Sequence, residues 1–163
     1  YTAASGTSMA TPHVAGAAAL LAQQHPAWSG QQLKNALVST AKPNAELNVY
    51  EQGAGRVDVA RAIRQDVTAT GVADFAVQSA DDGAAIRRLP VTYRNHGELP
   101  ITLALAIEGH SVGGGTATNA FTAPTSVTIP AQGTSTIEVS LDPSPLGRGR
   151  WSGALIGTAD GIS

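Results

Sequence analysis

Apolar residues along this chain follow two different periods. From residue 7 to about 65 they recur at helical spacing, and Ala10, Val14, Ala17, Ala18 and Leu21 share one face as an α-helix places them. Their small side chains predict close packing against a sheet or another helix. Pro12 falls within the first turns, where a missing amide costs least, and the helix is expected to end near His25-Pro26. The run SGQQLKNALVSTA predicts a second helix, with Ser29 as N-cap and Gln32 completing a capping box. Its expected buried stripe is Leu33, Ala36, Leu37 and Thr40. In QGAGRVDVARAI, Gly53 and Gly55 make a turn, and Asp58 caps a short helix through about Arg64. Val59, Ala60 and Ile63 are expected to face inward there.

After about Gln65 the period becomes two. AIRRLPVTYRN, LPITLALAIEG, TSVTIPA, TSTIEVSLDP and WSGALIGTA are short β-rich runs separated by Gly-, Pro- and Asn-containing breakers. Ile137, Val139 and Leu141 alternate with Thr136, Glu138 and Ser140, the mark of a half-buried strand. Six or seven such strands predict an antiparallel β-sandwich of immunoglobulin or fibronectin type III kind. HSVGGGTATNAF is expected to be a flexible loop, and Asp81-Asp82-Gly83 a hairpin turn. The expected division is therefore a helical segment over 1–66 and a sandwich over 67–163 that is expected to be short of a final strand.

Composition narrows the chemistry. Ten basic and 12 acidic residues leave a formal charge of −2, without the clustered basic excess of a nucleic-acid binder. Cysteine is absent, which excludes disulfides, thiolate metal sites and cysteine nucleophiles. The longest nearly apolar run, Val14 to Ala22, is too short to span a bilayer. The opening YTAAS lacks an initiator Met and a signal-peptide pattern, so the chain is expected to be part of a longer protein. The four histidines show no metal-ligand spacing. His25 reads as a helix-end residue, and His96 and His110 as turn residues. Trp28 and Trp151 read as packing residues, and aromatic content is too low for a carbohydrate platform.

Ser8 carries the strongest candidate chemistry. Most serines ahead of a helix are caps or first-turn residues and nothing more. Gly6, however, allows a tight approach of other backbone, and a helix N-terminus suits a developing oxyanion. A serine hydroxyl needs an imidazole to take its proton and a carboxylate to orient that imidazole. His13 lies five residues on, toward a different face of the same helix.

GTSMATPHVAG resembles the serine block of the subtilisin-like serine peptidases. LKNALVSTAKP is similar to that family's following helix, and GAGRVDVARAI to its closing glycine turn and helix. The likeness spans roughly residues 1–65. It implies a C-terminal fragment of an α/β parallel-sheet peptidase domain. It also implies that Ser8 is the nucleophile, with its own backbone N–H as an oxyanion donor. Gly6, Thr7, Met9, Pro12 and His13 would support it, with His13 structural and not the general base. The catalytic Asp and His and the oxyanion Asn would then lie before residue 1. The second half resembles, more weakly, fibronectin type III-like domains that follow the peptidase domain in large secreted or cell-envelope members.

The resemblance implies a secreted or envelope-bound endopeptidase acting on proteins or peptides, with this piece inactive alone. No cofactor or metal position can be assigned in the chain, although calcium is common in such enzymes. Two other readings stay open: a non-catalytic β-sandwich module that binds or stabilises, and a pseudo-peptidase. Either way, the helical half is expected to leave an apolar face exposed.

Overall fold

The computed structural model describes residues 4–76, 85–117 and 119–159; the expected turn at Asp81-Asp82-Gly83 lies outside them. Helix α1 runs from Thr7 to Gln24 and α2 from Gly30 to Ser39. The capping box forms as its sequence demands: the Gln32 amide donates to Ser29 Oγ, and the Ser29 amide to Gln32 Oε1 at 2.8 Å. A short α3, Val49–Gln52, precedes Gly53. It has its own capping box between Asn48 and Glu51. Asp58 accepts from the Arg61 amide and starts α4, Val59–Arg64.

Three of these helices close a small core. Ala17 and Leu21 of α1, Ala36 and Leu37 of α2 and Ala62 of α4 are buried together, with Trp28, Leu33, Val59 and Ile63 partly buried around them. One correction falls on α4: Ala62 is inward, whereas Ala60 is exposed. Asp58 sets the helix start, so the packing face is fixed by rotation about its axis and includes position 62.

Strands follow from Val67. They are β1 (Val67–Ala69), β2 (Arg87–Asn95), β3 (Ile101–Ser111), β4 (Phe121–Thr122), β5 (Ser126–Ile129), β6 (Thr134–Leu141) and β7 (Trp151–Thr158). They form two antiparallel sheets, ordered β1-β2-β6-β4 and β5-β3-β7. The long ladders set the register, with Val91 opposite Ile137 and Glu108 opposite Ala154. Alternation then sends one set of side chains between the sheets. Val67, Val91, Tyr93, Ile137 and Val139 of the first sheet meet Leu103, Val127 and Ile129 of the second.

The segment expected to be a flexible loop is largely anchored. His110 lies within β3 and not in a turn, and it bridges to Thr116. Ala117 and Ala120 are buried against Leu141 beside Phe121, the first residue of β4. Alanines lack the bulk to announce a core, so the sequence pattern passes over them. Helical and stranded halves touch where β1 lies near α2: a Cβ added at Gly71 would come within 2.8 Å of Val38 Cγ1.

Candidate active site

The geometry at Ser8 begins with Gly6. Its φ of 149° and ψ of 166° belong to a region that is essentially restricted to glycine. This turn lets its carbonyl accept from the amides of Met9 and Ala10 at 3.0 and 3.1 Å. Gly6 brings no capping side chain, and the first turn of α1 contains no acidic residue. The amides of Thr7 and Ser8 thus stand at the positive end of an 18-residue helix with no side-chain cap. Ser8, the second helical residue, is exposed.

Pro12 is the sixth residue of α1, within its first two turns as expected. In a regular α-helix the amide of residue 12 would donate to the Ser8 carbonyl; proline has no such hydrogen. Local side chains bond their own helix. Thr11 Oγ1 donates to the Thr7 carbonyl at 2.8 Å, and His13 Nδ1 bonds the Met9 carbonyl at 2.7 Å. A carbonyl only accepts, so Nδ1 carries the proton in that bond. His13 is therefore turned back along α1, and among the described residues no imidazole bonds Ser8. Met9 is exposed, its sulfur 3.7 Å from where a Gly6 Cβ would stand.

Along the middle of α1 the helical core is open. Val14 remains 42% exposed, so the small-residue face is only partly covered. Val14, Ala18, Leu33, Leu37 and Val57 line an apolar groove of about 410 Å³. No group of three or more His, Cys, Asp or Glu that could hold a metal occurs among the described residues. No helix there is long and apolar enough to cross a membrane.

The other histidines were expected to act separately, at a helix end and in turns. Two of them meet instead. His25 caps α1 through its amide, which donates to the Leu21 carbonyl at 2.8 Å. Its ring, however, stacks on Trp28, with centroids 3.8 Å apart and planes 5° from parallel. His96, just past β2, reaches the same indole at 4.6 Å. Spacing gave no signal for this meeting, because the two histidines belong to different halves of the chain.

Residues 1–55 match the model of the Subtilase family, so the serine-bearing segment is subtilisin-like. Subtilisin Savinase from Lederbergia lenta is 50% identical over 64 residues, covering 39% of this chain and 23% of that protein. Minor extracellular protease Vpr from Bacillus subtilis (strain 168) is 30% identical over 167 aligned positions, covering 96% of this chain and 20% of Vpr. Subtilisin-like protease SBT4.6 of Arabidopsis thaliana is 44% identical over 70 residues, covering 39% of this chain and 10% of that one. The chain thus spans less than a quarter of the length of these relatives. At a TM-score of 0.30 and 20% identity, a PapD-like domain of human CEP192 covers 44% of this chain and 59% of its own. It shares too little geometry to define the fold.

Proposed function

We propose that this chain is the serine-bearing part of a subtilisin-like endopeptidase and that Ser8 is its nucleophile. The observation that carries the proposal is the exposed hydroxyl in Gly6-Thr7-Ser8, on the uncapped N-terminus of α1, inside the segment that matches the family. In the parent protein, Ser8 Oγ attacks the scissile carbonyl while an imidazole accepts its proton. The carbonyl oxygen becomes an oxyanion facing the Ser8 amide, an acyl-enzyme forms, and water releases it. The general base, its orienting carboxylate and a side-chain oxyanion donor come from residues preceding this segment. His13 holds the helix and takes no part in proton transfer, in keeping with its bond to Met9.

Residues 1–66 are read as part of the peptidase domain, and 67–163 as an appended module of immunoglobulin or fibronectin III-like kind. Support for the division is the end of α4 at Arg64 and the start of β1 at Val67. The substrate class is protein or peptide, and the setting extracellular or at the cell envelope. The open groove beside α1 is where the preceding part of the peptidase domain would pack.

A serine-directed fluorophosphonate probe tests this reading. The full-length parent is expected to label at Ser8 and to lose all labelling in Ser8→Ala. These 163 residues alone are expected to label no faster than a free alcohol. A folded parent that fails to label would instead favour a pseudo-peptidase. The sandwich has a core of its own spanning both sheets, and this observation favours a second, binding or stabilising role for that half.

A further inference from the structure

His25, Trp28 and His96 form one ring cluster across the boundary between the helices and the sandwich, with His25 stacked on the indole and His96 tilted by 36° beside it. His25 lies flat on one side of the indole at 3.8 Å, His96 approaches it at 4.6 Å, and the imidazoles are 6.2 Å apart. His96 is fixed by its neighbours. Its amide donates to the Asp66 carbonyl at 2.7 Å, and its carbonyl accepts from the Gln132 side chain. Its Nε2 lies 3.3 Å from Oγ1 of Thr68, a buried residue of β1. His25 is the C-cap of α1, the helix that starts beside Ser8.

We propose that this pair of imidazoles on one indole is a pH-sensitive clasp between the serine helix and the sandwich, closed when the His96 ring is neutral and loosened by its protonation. The charges around His96 favour that behaviour. Partial burial holds its imidazole below the ordinary histidine range. Arg94 of β2 and then His25 of the α1 cap push in the same direction, and Asp66, from the link between α4 and β1, opposes them. Thr68 faces Nε2 with a hydroxyl that can donate or accept, so it imposes no charge on the ring.

The sign follows from linkage. With its value lowered in the folded state, His96 binds a proton more readily once released. The clasp therefore contributes fully above about pH 6.5, the free imidazole value, and weakens as pH falls through the interval below it. The clasp is separate from the chemistry at Ser8, so its success or failure leaves the peptidase reading standing.

Histidine NMR titration of the full chain carrying Ser8→Ala, with urea unfolding at about pH 7.5 and about pH 5, tests the clasp. His96 is expected to titrate below about 6.5, and His25→Gln to move that titration upward by removing a positive neighbour. The urea midpoint is expected to fall on acidification, and His96→Gln to remove most of that fall. A His96 titration at or above the free value, or one unmoved by His25→Gln, overturns the proposal. If His96→Gln does not fold, the His25→Gln titration decides alone, because it leaves His96 in place.

Discussion

Tyr93 shows how one side chain is tuned by its place. It sits in the inter-sheet core at 4% exposure, and burial pushes its phenol up to about 12. A phenol whose value is raised on folding stabilises fully below the free value of about 10 and loses that contribution as pH rises toward 12. Alkaline urea titrations should therefore show stability falling between about pH 10 and 12, and Tyr93→Phe should flatten the fall. Ser8 is the opposite case. It is exposed, so Ser8→Ala should change the urea midpoint little while abolishing probe labelling of the parent. Its candidacy was legible through the resemblance of GTSMATPHVAG to a peptidase serine block, since a glycine turn, a serine and a helix start by themselves more often mean a cap. That His13 points away from it was legible as well, from helical spacing alone. The partners of His25 and His96 were not, since no local rule relates positions 71 residues apart.

Helices here are specified mainly at their ends. α2 starts at Ser29 because its hydroxyl accepts the Gln32 amide and Gln32 returns the bond. Ser29→Ala should cost about 1 kcal/mol, read as a lower thermal or urea midpoint. The same signature, Asn48 with Glu51 three residues on, marks α3. The signature stands in the sequence, but a helix of four residues shows no period to go with it. Strands divide in the same way. β2, β3, β5, β6 and β7 stand out by alternation, whereas the three-residue β1 and two-residue β4 are too short to alternate visibly. They exist because longer neighbours offer them edges: β1 joins β2 at Val67 opposite Asn95, and β4 joins β6 at Phe121 opposite Leu141.

At the scale of the molecule, two cores lie side by side, one among the helices and one between the sheets. Leu103 is 2% exposed at the heart of the larger one. Leu103→Ala should lower stability by about 2–5 kcal/mol, checked by urea unfolding followed through far-ultraviolet circular dichroism. The ring cluster at Trp28 and the approach of β1 to α2 are where the two halves meet. By itself the sequence determined the change from helix to strand near residue 65, the starts of α2 and α4 and, through its likeness to a peptidase serine block, the residue worth testing as a nucleophile. Period and caps are physics within a few residues of chain. Only the tertiary structure decided that Ala62 is inward, that His110 is a strand residue, and that one indole holds two distant imidazoles. Those outcomes depend on which faces close on one another, a choice made by packing across the whole chain.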